Sequence, residues 1–259
     1  MAYSLEEAKA LIIKAGLELV EKKLIARTWG NISARLSDEE FLITPSGVPY
    51  DQINENNLVV VKISDCSYTG NIKPSGEKKV HAAIYETRKD VNFILHTHQN
   101  YATAVSVDGV HKDFAPVADY ALPGTKQLTK NVKHVVETYK NMDTFLMARH
   151  GALIVSSNYE AAFTKAIILE DRAKKLYDAV ATTKSSNVES KPYLDDYAQM
   201  FGHSTKAVEE DPIAVKMIQE KNTLAARYQK NPKPMGFFDV FIQHLVYKKK
   251  YAKLKDSNK

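Results

Sequence analysis

Two histidines separated by a single residue, His96 and His98, carry the clearest chemical signal in this sequence. They lie in the segment 92–99, whose β-branched and aromatic residues favour a strand. Because alternate side chains of a strand point to the same side, both imidazoles can bind one ion while Thr97 faces the other way. A third histidine, His150, follows the apolar run 144–148. Three imidazoles with one open coordination position are typical of a catalytic zinc site rather than a structural one.

A carboxylate, Glu77, opens the segment 77–88, which has the spacing of a helix. A glutamate at this position can simply cap the helix. Beside a zinc ion it can also occupy the open coordination position at rest and act as acid/base once a substrate displaces it. His81 lies one helical turn later, and we interpret it as a structural residue that supports the site from behind. A lone buried histidine is more often a hydrogen-bonded core residue than a ligand, so the metal prediction depends on the set of three.

Three glycine-containing loops surround these residues in the sequence, at 30–31, 44–47 and 73–77. Each exposes backbone N–H groups beside small hydroxyl or amide side chains, and the last opens a helix whose positive end favours anions. For any one loop a simple turn is the better interpretation. Together they predict a phosphate site. Because the chain has no glycine-lysine P-loop and no dinucleotide fingerprint, we expect a phosphorylated metabolite rather than ATP or NAD.

The composition is that of a globular domain, with 44% apolar and 26% charged residues in a chain of 259. Much of the net charge of +5 comes from six lysines in residues 248–259, which disfavours a nucleic-acid partner. The single cysteine, Cys66, excludes an intrachain disulfide framework and suits a reducing compartment. The N-terminal residues lack the pattern of a signal peptide, and no segment approaches the ~20 apolar residues of a membrane span. We therefore expect a cytoplasmic protein without a membrane partner.

Helix and strand patterns alternate along the chain. Ser4 and Glu7 form a capping-box pattern ahead of an apolar helical repeat that extends to Val20. The remaining patterns predict strands at 28–35, 40–44, 58–63 and 92–99, two apolar runs within 145–155, and helices at 77–88, 101–107, 127–140 and 159–181. Interleaved elements of this kind predict an α/β or α+β fold. The polar segment 182–189 divides a predicted catalytic domain, 1–182, from a mainly helical C-terminal extension, 183–259, with helical patterns at 212–229 and 237–253.

Five motifs in this order resemble those of the class II aldolase and adducin family, most closely its L-fuculose-phosphate aldolases. They are Gly30-Asn31-Ile32-Ser33, Thr44-Pro45-Ser46-Gly47, Pro74-Ser75-Gly76-Glu77 with His81, His96-Thr97-His98 and Arg149-His150-Gly151. The resemblance covers about residues 5 to 180. It implies a three-layer α/β/α domain with a central, largely antiparallel sheet, and a homotetramer with active sites at subunit interfaces.

The resemblance also implies roles for individual residues. Zinc would be held by His96, His98 and His150, with Glu77 as a further ligand and as the acid/base. A second group would bind the substrate phosphate: Asn31, Ser46, Gly47, Ser75 and Gly76, bordered by Thr28 and Gly30. Other divalent metals such as cobalt, manganese or nickel also suit three imidazoles.

Two departures from the family pattern concern the pocket. Ser75-Gly76-Glu77 replaces the frequent Ser-Ser-Glu, which removes one hydroxyl from the phosphate site but keeps the backbone N–H. The connection between the second and third histidines is shorter than in fuculose-phosphate aldolase and lacks the tyrosine that protonates the aldehyde oxygen there. Tyr120 is a candidate substitute, and Tyr193 or Tyr197 could serve a neighbouring subunit.

The predicted reaction is the cleavage of a ketose 1-phosphate into dihydroxyacetone phosphate and an aldehyde, with zinc as the Lewis acid. No lysine is needed for a protonated imine. A sugar-phosphate 4-epimerase or a methylthioribulose-1-phosphate dehydratase would use the same metal and phosphate sites, and their products would distinguish them. A decarboxylase of the family carries lysine in place of Glu77, which counts against that activity. A complete ligand set argues against a non-enzymatic, adducin-like interaction module.

Overall fold

The computed structural model describes residues 2–25, 28–106 and 114–181. The predicted linker, the C-terminal helices and the boundary between the two predicted domains lie outside these residues. The described elements are helices α1 (Leu5–Glu21), α2 (Lys78–Thr87), α3 (Asn100–Val105), α4 (Lys126–Thr138) and α5 (Tyr159–Ala181), and strands β1 (Asn31–Arg35), β2 (Glu40–Ile43), β3 (Val59–Lys62), β4 (Phe93–Thr97), β5 (Val117–Ala118), β6 (Thr144–Met147) and β7 (Gly151–Ser156).

The seven strands form one sheet in the order β3-β2-β1-β4-β7-β6-β5. Every neighbouring pair is antiparallel except β5 and β6, which are parallel. β4 occupies the middle of this order, between β1 and β7. The largely antiparallel sheet inferred from the family resemblance is therefore confirmed.

Helices cover both faces of the sheet because its strands are apolar on both sides. On β4, Leu95 belongs to the core shared with α1, α3 and α5, whereas Ile94 belongs to the core shared with α2 and α4. The same alternation occurs on β7, where Ile154 and Leu153 face opposite cores. The domain thus has the predicted three layers, α/β/α.

Most elements agree with the sequence patterns to within a few residues. The capping box of α1 is present, with the Ser4 hydroxyl accepting a hydrogen bond from the Glu7 amide and the Glu7 carboxylate accepting one from the Ser4 amide. Three details differ from the predictions. β1 begins at Asn31 rather than at residue 28, β4 ends at Thr97 so that His98 follows the strand, and β5 lies in a segment predicted as a connection.

None of the helices in the described part of the chain is both long and apolar enough to cross a membrane.

Candidate metal centre

The three histidines converge at one end of β4. His96 lies on that strand, His98 follows it, and His150 lies in the turn between β6 and β7. The Nε2 atom of His96 is 3.1 Å from the Nε2 atom of His150 and 3.1 Å from that of His98. All three side chains are buried, and their ligand atoms lie within 4.8 Å of one another. The convergence expected from the sequence is observed.

The hydrogen bond of His96 determines which of its nitrogens faces the cluster as a lone pair. Its Nδ1 atom lies 3.0 Å from the backbone carbonyl oxygen of Ala152, on the neighbouring strand β7. A carbonyl oxygen can only accept, so Nδ1 carries a proton, and in the neutral ring Nε2 is the nitrogen with the lone pair. Metal-binding histidines are commonly fixed in this way by a carbonyl or carboxylate behind the ring.

Glu77 lies directly before α2 and places its carboxylate against the histidines. Its Oε2 atom is 3.2 Å from His96 Nε2, and its Oε1 atom is 3.3 Å from His150 Nε2. Burial raises the pKa of Glu77, but the nearby imidazoles of His150 and His96 and the hydrogen bond from Asn31 together outweigh burial, so the pKa lies well below the usual range. The group is a carboxylate at neutral pH.

These atoms fit a divalent cation. The lone pair of His96 Nε2 faces the anionic oxygen of Glu77 and the Nε2 atoms of His98 and His150. A single proton placed between these atoms could form only one hydrogen bond, whereas a cation can contact all of them. Oε1 of Glu77 is buried and accepts no hydrogen bond within the described residues. Four ligands at Zn–N distances of about 2.0–2.1 Å in a tetrahedron lie about 3.3–3.4 Å apart. The separations of 3.1–3.3 Å seen from His96 and Glu77 are close to that value.

Two glycines allow the neighbouring strands to approach β4 at the site. A Cβ atom on Gly30 would lie closer than 3.0 Å to the backbone oxygen of His96, and one on Gly151 equally close to that of Thr97. Gly30 also has a φ of +76°, a left-handed conformation that side chains disfavour. The glycines of two of the sequence motifs therefore serve the packing of the metal ligands.

The predicted phosphate loops lie side by side. Pro45 pairs with Pro74 in an isolated bridge, the Ser46 amide donates to the Lys73 carbonyl at 2.8 Å, and the Ser75 amide donates to the Thr44 carbonyl at 3.0 Å. These two amides join the loops, so an anion would be bound by hydroxyl groups and by other amides. Ser46, Gly47 and Gly76 are exposed, Ser75 is buried and Thr28 is half-buried. Their binding roles remain predictions.

Asn31, predicted to bind phosphate, contacts Glu77 in the described structure, and its phosphate role stays a prediction. Its side-chain amide donates to Glu77 Oε2 at 3.0 Å. The predicted proton donor Tyr120 lies two residues after β5 and stacks on Arg149, whose guanidinium carbon is 5.6 Å from the ring centroid. Since Arg149 directly precedes His150, Tyr120 is close to the turn that carries this predicted metal ligand. Tyr193 and Tyr197 lie outside the described residues.

The sequence patterns did not reveal a set of buried polar residues behind Glu77. On β1, Asn31, Ser33 and Arg35 all face α2, and on α2, His81 and Tyr85 face back towards them. The signal was present as polar residues at alternate positions of a strand and at i, i+4 of a helix. His81, expected to support the site from behind, is part of this set.

Comparison with known proteins agrees with this geometry. Residues 10–177 match the family described as the class II aldolase and adducin N-terminal domain. The chain belongs to the class II aldolase and adducin family. Within it, the L-fuculose phosphate aldolase of Escherichia coli K12 is 33% identical over 184 residues, which cover 66% of this chain and 83% of that protein.

Other similar proteins include a decarboxylase and two aldolases of known structure. The 3-oxo-tetronate 4-phosphate decarboxylase of Pectobacterium atrosepticum is 28% identical over 188 residues, covering 66% of this chain and 84% of that protein. A solved L-fuculose 1-phosphate aldolase superposes with a TM-score of 0.61 at 30% identity, over 77% of this chain and 98% of that one. The L-fuculose-1-phosphate aldolase of Thermus thermophilus gives a TM-score of 0.56 at 23% identity, over 70% and 98%, and supports the fold.

Proposed function

We propose that the protein is a divalent-metal-dependent aldolase, with zinc as the metal, that cleaves a ketose 1-phosphate into dihydroxyacetone phosphate and an aldehyde. The observation that carries the proposal is the buried carboxylate of Glu77, held against two of three converging imidazoles. The named fuculose-phosphate aldolases, which act on a phosphorylated sugar, are similar over most of their length.

The metal would be held by His96, His98 and His150, with Glu77 as a further ligand at rest. When bound there it would supply Lewis-acid stabilisation of the negative charge that develops on the substrate oxygens. Glu77 would move the proton at the carbon of the three-carbon fragment. As the C3–C4 bond breaks, the proton lost by the C4 hydroxyl would pass to the Glu77 carboxylate, directly or through Tyr120. Glu77 would then deliver this proton to C3, so that the two transfers balance.

The substrate phosphate would be held by the loops at 44–47 and 73–76, remote from the bond that breaks. Binding a remote phosphate fixes the reacting carbons relative to Glu77, which is a large part of the rate enhancement that positioning can give. Tyr120 is the proposed partner of the aldehyde oxygen. By resemblance to the family, we also propose a homotetramer with active sites at subunit interfaces.

A decarboxylase is the second candidate, because a decarboxylase is among the similar proteins. The family resemblance counts against it, because a decarboxylase of the family carries lysine where this chain has Glu77. Epimerase and dehydratase activities would keep the same metal ligands, so they are distinguished by products alone.

The test combines metal analysis with product detection. Purified protein is assayed for bound metal and, across several 1-phosphorylated ketoses, for release of dihydroxyacetone phosphate in a coupled NADH assay. Glu77→Gln should lower kcat by about 100-fold or more, the range of general acid/base catalysis. Glu86→Gln is the matched control. Glu86 is an exposed glutamate of α2, the helix that Glu77 precedes, and among the described residues it pairs only with Lys133.

Two results would decide against parts of the proposal. Full activity of Glu77→Gln would remove Glu77 from the acid/base role. A metal-loaded protein that converts a sugar phosphate without releasing dihydroxyacetone phosphate would replace the aldolase with an epimerase, dehydratase or decarboxylase, according to the product. Sedimentation velocity of the same preparation tests the tetramer.

A further inference from the structure

A continuous row of hydrogen-bonded side chains extends from Glu77 into the interface between α2 and the sheet. Asn31 donates to Glu77 Oε2 at 3.0 Å, and Asn31 Oδ1 lies 2.5 Å from His81 Nε2. On the other side of the ring, His81 Nδ1 is 2.6 Å from the Ser33 hydroxyl, which is 2.8 Å from the Tyr85 hydroxyl. All five residues are buried.

Only one arrangement of protons satisfies this row. A carboxylate can only accept, so the amide nitrogen of Asn31 faces Glu77 and the amide oxygen faces His81. An amide oxygen also only accepts, so His81 must carry its proton on Nε2. If His81 is neutral, Nδ1 accepts from Ser33, and Ser33 in turn accepts from Tyr85. The charge on Glu77 thus sets the direction of every bond in the row.

Burial keeps His81 in the neutral form that this arrangement needs. Desolvation, with a smaller contribution from His96, lowers the pKa of His81 to about 3 against the opposing effect of Glu77. Burial also raises the pKa of Tyr85, so its hydroxyl remains a donor. The row is therefore made of neutral groups that end on a single anion.

We propose that His81 is a positioning residue for the reaction. By donating from Nε2, it holds the Asn31 amide in the one orientation that donates to Glu77 Oε2. Oε2 is then occupied, and Oε1 is the oxygen of Glu77 left to exchange a proton with the substrate. This inference rests on the proposed function, in which Glu77 is the acid/base.

The matched variants are His81→Gln and His81→Asn. A glutamine amide can reach the position of the imidazole Nε2 and restore the donor to Asn31. An asparagine reaches only the position of Nδ1, so it keeps a partner for Ser33 and loses the donor. Both changes remove the ring from the same buried space, and urea unfolding of the metal-free variants measures that shared structural effect.

We expect kcat of His81→Gln within about threefold of the wild type. His81→Asn should lose at least tenfold in kcat, in line with the effect of a misplaced catalytic group, while KM and bound metal change less than about threefold. Equal losses of kcat in both variants would show a purely structural role and overturn the inference. A rise in KM with unchanged kcat would do the same, because it would place Asn31 on the substrate phosphate.

A second readout needs no turnover. Nitrogen-15 NMR of histidine-labelled, metal-free protein reports which ring nitrogen carries the proton, and His81→Gln assigns the signal. A proton on Nε2 is expected. A proton on Nδ1 overturns the inference even in an active aldolase, whereas a proton on Nε2 in a protein without aldolase activity supports the hydrogen-bond order and refutes the proposed reaction.

Discussion

Replacing Gly151 with alanine should disturb the metal centre without touching any proposed ligand. The added Cβ would lie closer than 3.0 Å to the backbone oxygen of Thr97 and 3.2 Å from Cε1 of His96. Since the first contact is with backbone, no side-chain rotation can relieve it. β7 must move away from β4 by about 1 Å to reach an ordinary contact of 3.4 Å.

That movement separates His150, which precedes Gly151, from His96 on β4. Metal sites tolerate errors of about 0.2 Å in ligand distance, so we expect a loss of metal affinity on the order of 10- to 100-fold. Overpacking in a close-packed interior commonly destabilises by 1–3 kcal/mol, and a clash with backbone should fall at the upper end, about 3 kcal/mol.

Trp29 makes both effects measurable in one sample. It is the only tryptophan of the chain, and its ring centroid is 6.3 Å from that of His98. Quenching of its fluorescence by added cobalt reports metal binding, and urea unfolding of the metal-free protein reports stability without the contribution of the ion. The control is Gly76→Ala, because a Cβ there meets nothing within 4 Å. Wild-type metal affinity and stability in Gly151→Ala would refute the close packing of β7 on β4 at this point.

Three further outcomes are expected. Gly76→Ser should lower KM for the phosphorylated substrate several-fold, because it adds a hydroxyl at the phosphate loops and one hydrogen bond contributes about 1 kcal/mol. An unchanged KM in steady-state assays would place the phosphate elsewhere. The pKa of His81 is 6.5 in the unfolded chain and about 3 in the folded protein. Between pH 6.5 and pH 3 only the unfolded state therefore binds a proton at this residue, and the free energy of unfolding declines as the pH falls. Between pH 7.5 and 5 the metal-free wild type should therefore lose about 2 kcal/mol more than His81→Gln in urea unfolding, and parallel pH profiles would contradict this. Arg35→Leu should destabilise by roughly 3 kcal/mol, since its guanidinium donates to three buried backbone carbonyls; a change below 1 kcal/mol in the same assay would show that water replaces these bonds.

Local patterns in the sequence were sufficient to predict the elements that carry the site. The capping box of α1 and the apolar runs before and after His150 correspond to observed structure, because caps and strand alternation are set by neighbouring residues. β5 was not predicted, since a strand of two residues has no periodicity and forms here by parallel pairing with β6, which lies about 25 residues further along the chain. The end of β4 before His98 was also missed, as strand ends are set by pairing partners.

Individual contacts within the site required the tertiary structure. The resemblance to the family identified Asn31 and His81 as motif residues. It assigned Asn31 to phosphate, which stays a prediction, and gave His81 a general supporting role. The direction of their hydrogen bonds follows from how β1 and α2 pack, which brings together residues 50 apart in the chain. Glu77 was expected near the histidines, yet its contact with both His96 and His150 depends on the order of strands in the sheet.

Because β4 lies in the middle of the sheet, the proposed metal ligands come from both halves of the sheet. Strands β1 to β4, from the first part of the domain, lie on one side of the contact between β4 and β7, and strands β5 to β7 lie on the other. Glu77, His96 and His98 belong to the first half, and His150 belongs to the second. An ion bound by all four would link the two halves of the sheet across the contact between β4 and β7. Removal of the ion should increase the rate of amide hydrogen exchange first between β4 and β7.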